Sequence, residues 1–191
     1  RYVELFQDEH LLNLLRNSIV VSVLSTFVAT CFGTVAAIGI HNLKPKLRKV
    51  VMSLTNIPMT NPDIVTGVSL SLLFVFVGLI LHVSETFSFW TMLIAHTTFN
   101  IPYIILSVLP RFRQMDPHLR EAALDLGCTP LQAFFKVELP AIMSGVITGF
   151  IMAFTLSLDD FVISHFVSSP NFQTLPLYVY NQTAHNVKFS M

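Results

Sequence analysis

The chain has 191 residues, 53% hydrophobic and only 12% charged, with a mean hydropathy of +0.66. Soluble domains carry about twice that charged fraction, which excludes an ordinary water-soluble fold, and a formal net charge of zero gives no global pull toward nucleic acid. Cys31 lies in an apolar run and Cys128 in a polar stretch. With no C-x-x-C pair they offer neither a zinc site nor a disulfide framework, and both read as packing residues.

In chain order, the sequence opens at Arg1 without an initiator Met or a signal peptide and closes at Met191. It reads as the middle of a larger membrane protein. Four charge-poor runs follow, at about residues 17–40, 50–81, 86–110 and 141–166. Each exceeds the ~20 residues that cross a hydrocarbon core. They carry scattered Ser, Thr and Gly rather than a polar stripe at helical spacing, which suits helix packing in lipid. The fold class is therefore all-α: a single polytopic membrane helix bundle over residues 1–191. Pro58, Pro62 and Asp63 interrupt the second run. Straight, that run would be roughly 48 Å long at the α-helical rise, so a break or a strong tilt is expected there.

Charge outside the runs sets orientation. Lys44, Lys46, Arg48 and Lys49 lie between the first two, and Arg111, Arg113, Arg120 and Lys136 between the last two. The opposite side holds only Arg1, Arg16 and Lys188. That bias predicts that 41–49 and 111–140 are cytoplasmic. Residues 1–16, the turn containing Glu85 and the tail after Val167 then lie on the other face.

The 111–140 loop is longer than a turn and carries its own helix signals. Asp116 can cap a helix with Pro117 in its first turn. Gly127 stands where a left-handed C-terminal residue is wanted. Thr129-Pro130-Leu131-Gln132 restarts a helix with a capping box, expected to reach about Glu138 before Leu139-Pro140 leads into the fourth span. The expectation is a helix–turn–helix at the membrane surface, with Ala122 and Ala123 leaving a small-residue face for another protein.

These residues carry a resemblance. Glu121-Ala122-Ala123, then Asp125 and Gly127, then Leu139-Pro140 are similar to the signature loop of bacterial ABC importer permease subunits of the type I kind. The resemblance implies about six spans, of which four lie here, and a loop that docks on the ATP-binding subunit and carries its closure to the helices. It implies as partners an ATP-binding subunit dimer, a second homologous permease subunit, an extracytoplasmic solute-binding protein and the lipid bilayer of the bacterial inner membrane. ATP and Mg²⁺ would sit on the ATPase, with no cofactor on this chain. Asn61-Pro62-Asp63-Ile64-Val65, Phe154 to Phe161, Ser169-Pro170 and Leu175-Pro176-Leu177 further resemble the spermidine/putrescine permeases.

The acids of the spans agree with a cationic cargo. A carboxylate within the bilayer costs at least ~2.5 kcal/mol on insertion scales, so it persists where it meets water, a partner or a passing cation. Asp63, Asp159 and Asp160 are such groups, and no Lys or Arg lies within the spans. A polyamine would supply the missing positive charge, with Tyr103 or Trp90 available for cation–π attraction. Asp63 also suits a helix N-terminus. If Asp159 and Asp160 continue the fourth helix they point about 100° apart, one toward the pathway and one toward a neighbour. His96 and Asn100, four apart, read as an interhelical hydrogen-bond pair. His165 reads as interfacial and Glu85 as solvated.

Enzymatic alternatives lack their residues. There is no G-x-x-x-x-G-K-[ST] for ATP hydrolysis, no H-E-x-x-H and no G-x-S-x-G, and the histidines form no metal constellation. Two other readings stay open: a same-family permease for another small solute (an amino acid derivative, a phosphonate, an iron complex) and a non-transport membrane scaffold.

Overall fold

The computed structural model describes residues 9–60, 63–82, 86–116, 118–169 and 172–187. The sequence readings at Arg1, Asn61, Pro62, Glu85, Pro117, Pro170 and Lys188 fall outside them. Nine α-helices form among the described residues: α1 Glu9–His41, α2 Pro45–Thr60, α3 Asp63–Leu81, α4 Phe89–Gln114, α5 His118–Asp125, α6 Pro130–Ala133, α7 Leu139–Asp159, α8 Val162–Val167 and α9 Leu175–Val187. A π-helical turn, Phe134–Glu138, joins α6 to α7. Glu9–His41, Asp63–Leu81, Phe89–Gln114 and the continuous stretch Pro130–Asp159 are long and apolar enough to cross a membrane.

Three of the long helices, α1, α4 and α7, make the core. Gly33 of α1 lies against Ile104 of α4, and His41 stacks on Phe112 at 5.1 Å between ring centroids. Both pairs share one offset in sequence, so α1 and α4 run parallel. The contact stripe of α1 is made of small residues, with Ser18, Ser22, Ser25, Ala29, Gly33 and Ala37 all buried. Lipid offers no hydrophobic drive to join two apolar helices, so close backbone approach and dispersion have to do it. Gly33 shows how close that approach is, since a Cβ there would stand 2.7 Å from the Cβ of Ile104. At the loop end Ala37, Val108, Phe112 and Ile142 close the core. At the other end Val21, Met92, Ala95, Phe99, Ile163 and Val167 do so.

The second apolar run is two helices, with α2 ending at Thr60 and α3 beginning at Asp63. The halves differ in kind. α2 buries no residue and exposes Leu47, Val50, Leu54 and Ile57, whereas α3 is apolar all round and buries only Gly67 and Gly78.

Three elements depart from the sequence reading. First, α7 stops at Asp159, so the fourth run is not one helix to residue 166. Asp160 adopts an extended conformation (φ −68, ψ 121), and its carboxylate accepts the backbone N–H groups of Ile163 (3.2 Å) and Ser164 (2.9 Å) at the start of α8. Second, Leu139-Pro140 does not separate the loop helix from the span. The wide turn Phe134–Glu138, closed by Leu139 N–H to Phe134 C=O, opens the backbone where Pro140 brings a ring and no N–H, and the helix runs through. Third, the tail forms a helix, α9, moored to the start of α1: Leu175 N–H donates to Ser18 Oγ at 2.8 Å, and Asn17 Nδ2 to Gln173 C=O at 3.3 Å.

Candidate functional site: a capped knob and an acidic cavity

Two regions collect the residues singled out in the sequence. The first is the 118–138 knob. Asp116 Oδ1 accepts the His118 N–H at 2.9 Å, which starts α5. Gly127 ends it with φ +86, a left-handed conformation that costs an L-residue ~1–2 kcal/mol. Cys128 N–H reaches Ala123 C=O (3.1 Å) and Gly127 N–H reaches Leu124 C=O (2.9 Å), the paired bonds of a Schellman cap. Thr129 and Gln132 then form a reciprocal capping box: Gln132 N–H donates to Thr129 Oγ1 at 3.3 Å, and Thr129 N–H to Gln132 Oε1 at 3.0 Å. Each cap joins groups no more than five residues apart, so the knob's shape is local chemistry.

The exposed surface of the knob is specific. Glu121 is exposed and lies 3.2 Å from His118 Nδ1. Ala122, Asp125 and Gly127 are exposed, while Leu139 is half-buried and Pro140 exposed. The two alanines do not share one outward face: Ala122 points out, whereas Ala123 is 6% exposed and packs into the chain's own body. Leu126, Leu131 and Phe135 stand out at 86%, 72% and 61% exposure. Sequence reading missed these three apolar residues. Their separations of five and four residues gave a signal, because polar loops rarely place large apolar groups so regularly without a surface to meet.

The second region is a cavity of about 450 Å³ lined by Asp63, Phe99, Thr155, Leu156, Asp159, Asp160, Phe161 and Val162. It gathers all three span carboxylates, and among the described residues no cationic side chain lines it. The acids differ in their work. Asp63 is exposed and is the first residue of α3, where the positive helix end favours it. Asp160 has an 8% exposed side chain and caps α8, with Oδ2 also accepting the Ser164 hydroxyl at 3.1 Å and lying 3.6 Å from His96 Nε2. Asp159 is exposed and sits at the last turn of α7, where the negative helix end disfavours a carboxylate by ~0.3–1 kcal/mol. Asp63 and Asp160 therefore have structural roles, and Asp159 has no partner among the described residues. Tyr103 does not line the cavity. Its ring packs on Phe99 at 5.3 Å, within electrostatic reach of Asp63.

Behind Asp160 lies a buried polar chain. His96 Nδ1 is 2.7 Å from Ser157 Oγ, Ser157 Oγ is 3.2 Å from Ser25 Oγ, and His96 Nε2 is 3.2 Å from Ser164 Oγ. It ties α1, α4, α7 and α8 together at the level of the cavity. His96 is thus an interhelical hydrogen-bonding residue, but Asn100 is not its partner. Asn100 is fully buried and neither atom of its amide has a protein hydrogen-bond partner. Among the described residues no group of three or more His, Cys, Asp or Glu could hold a metal ion.

Comparison with known proteins supplies the lineage. Residues 29–187 match the family model described as "Binding-protein-dependent transport system inner membrane component". The chain is 36% identical over 181 residues to the putrescine transport system permease protein PotI of Escherichia coli K12, covering 94% of this chain and 64% of that protein. It is 33% identical over 180 residues to the spermidine/putrescine transport system permease protein PotC of the same strain, covering 94% and 66%. A PotC homolog of Mycoplasma genitalium is 31% identical over 151 residues, 79% of this chain and 52% of that one. The chain thus spans just under two thirds of the two E. coli relatives. With four membrane-length helices, a capped 118–138 knob and a match over most of its length, it belongs to the binding-protein-dependent transport system inner membrane component family.

Proposed function

We propose that the chain is the membrane-spanning part of an ATP-driven importer and forms, with a second homologous permease subunit, the pathway for polyamines such as putrescine and spermidine. A solute-binding protein on the extracytoplasmic face delivers the cargo. The 118–138 knob lies in the cytoplasm, on the side carrying the eight basic residues of 41–49 and 111–140. There it meets an ATP-binding subunit dimer, which binds ATP and Mg²⁺ and performs the hydrolysis. Leu126, Leu131 and Phe135 supply the apolar contact, with Glu121 and Asp125 beside them.

The observation that carries the cargo assignment is Asp159. Asp63 and Asp160 are compensated by the helix starts they occupy, whereas Asp159 is exposed to the cavity at the unfavourable end of α7. Such a carboxylate gains from each ammonium that passes and would oppose an anion. Phe99 and Phe161 add aromatic faces for the same ammonium groups. The names of the relatives, putrescine and spermidine/putrescine permeases, point the same way.

The test is uptake of labelled putrescine by the complete importer in proteoliposomes. Asp159→Asn lowers the rate by roughly tenfold, ~1.4 kcal/mol of barrier, while the subunits still copurify. Wild-type rates for both Asp159→Asn and Asp63→Asn would refute the acidic lining. Uptake of an amino acid derivative, a phosphonate or an iron complex, with none of putrescine, would refute the cargo.

A further inference from the structure

The knob is held to the bundle less firmly than its caps suggest. α5 connects to α6 through a turn at Gly127, and its buried contact is made by small side chains, Ala123 on α5 and Ala133 on α6. Beside it lies a cavity of about 550 Å³ whose lining includes His41, Phe112, Arg113, Leu131 and Phe134. Packed side chains therefore do not back α5 on that side. One polar strut crosses the gap: Arg120 Nε stands 3.4 Å from Glu138 Oε1, and both residues line the cavity. Among the described residues it is the one ion pair between an arginine or lysine and a carboxylate.

The placement of Glu138 gives the strut its meaning. It is the last residue of the π turn and directly precedes Leu139, the first residue of α7. The π turn interrupts the α-helical ladder in the continuous stretch from Pro130 to Asp159, and such turns are where helices bend. A load on α5 has two routes into α7. It can pass through the loop at Gly127 and flex the π turn, or cross the strut and arrive at the far end of that turn, next to α7. The Glu138 side chain is 10% exposed against 51% for Arg120. A carboxylate so little exposed holds its partner firmly, because losing that partner leaves a nearly buried charge unpaired.

We infer that Arg120 and Glu138 are positioning residues of the coupling motion: their ion pair carries displacement of the knob past the π turn into α7. This rests on the importer reading above. With the pair intact, closure of the ATP-binding subunits moves α5 and α7 as one body. With it broken, the knob still docks, but its travel is spent bending residues 134–138.

The experiment is the ratio of putrescine transported to ATP hydrolysed in the reconstituted importer. Arg120→Gln and Glu138→Gln keep the ATP-binding subunits attached and hydrolysis within about twofold, while the ratio falls at least about fivefold, the low end of measured coupling energies. Arg120→Lys retains most coupling, and the exchange Arg120→Glu with Glu138→Arg restores part of it, as a role for the ion pair requires. If Glu138→Gln fails to assemble, the half-exposed Arg120→Gln decides. An unchanged ratio in that variant overturns the inference. A second readout is independent of cargo: spin labels at Leu126→Cys and Ile151→Cys, with Cys31 and Cys128 replaced, give a distance distribution that broadens in Arg120→Gln. An unchanged distribution overturns the strut. A wild-type complex that neither hydrolyses ATP nor carries putrescine refutes the importer reading, and in that case the spin-label distances alone decide the strut.

Discussion

Asp159 and Asp160 are adjacent in sequence and opposite in expected consequence when replaced. Removing the Asp160 carboxylate (Asp160→Ala) takes three acceptor contacts from the start of α8: Ile163 N–H at 3.2 Å, Ser164 N–H at 2.9 Å and the Ser164 hydroxyl at 3.1 Å. An N-cap is worth ~0.5–2 kcal/mol, and stranding a buried donor costs ~1–3 kcal/mol. The Ser164 hydroxyl keeps an alternative acceptor in the Asp160 backbone C=O at 3.3 Å, so its bond is recoverable. The net loss is about 2–4 kcal/mol. Asp160→Asn keeps one cap oxygen but turns an NH2 toward the N–H that the other carboxylate oxygen accepted, so it loses one of the two backbone bonds and the charge assistance, about 1–2 kcal/mol. Asp159→Ala removes a side chain with no structural partner at the unfavourable end of α7. It changes stability by less than about 0.5 kcal/mol, the range for a surface replacement. Thermal unfolding of the detergent-solubilised complex, read by tryptophan emission and by loss of copurifying subunits, checks the order: Asp160→Ala well below wild type, Asp160→Asn slightly below, Asp159→Ala level. An Asp159→Ala protein as unstable as Asp160→Ala would refute the division of labour between the two acids, and with it the argument that Asp159 is free to meet cargo.

Three further outcomes follow from the geometry. Gly33→Ala puts a Cβ 2.7 Å from a Cβ that cannot rotate away, so it destabilises by ~1–3 kcal/mol. Gly39→Ala, on the same helix with nothing within 4 Å, is neutral or stabilising by up to ~1 kcal/mol, so the first lowers the melting temperature and the second does not. At Gly127 a Cβ also meets nothing within 4 Å, so Gly127→Ala shows the left-handed backbone cost alone, ~1–2 kcal/mol. Proteolysis of the 118–138 segment then quickens while the bundle melts unchanged. Thr129→Ala removes half of the capping box and costs ~1 kcal/mol of knob stability, seen as faster amide exchange at Leu131 and Gln132.

The sequence was most legible where the physics is local. Asp116, Gly127, Thr129 and Gln132 declare the knob because each cap acts within a few residues. The apolar runs declare the spans because hydrocarbon tolerates little else. What stayed hidden depends on partners far along the chain. The break at Asp160 is fixed by an acid that caps its own downstream helix beside His96 of α4, so the two neighbouring acids read as successive residues of one helix. Ser25, Ser157 and Ser164 look scattered until α1, α7 and α8 bring them to His96 of α4. Pro140 looked like a boundary because the rule against interior proline assumes an α-turn before it, and the turn before it is π-helical. The α9 helix was hidden because Leu175-Pro176 at its start reads as an extended pair, and its mooring residues, Asn17 and Ser18, lie more than 150 positions earlier.

The parallel run of α1 beside α4 also sets a schedule for biogenesis. Gly33 waits for Ile104, and His41 for Phe112, each 71 positions further on. At ~5–20 residues per second of synthesis that is roughly 4–14 s. Through that interval the hydroxyl-lined stripe of α1 has no mate within the nascent chain, while α3, which buries only two glycines in the finished fold, is the next long apolar segment to emerge. An insertion machinery that shields Ser18 to Thr34 until α4 is made would therefore guard this protein at its most vulnerable moment.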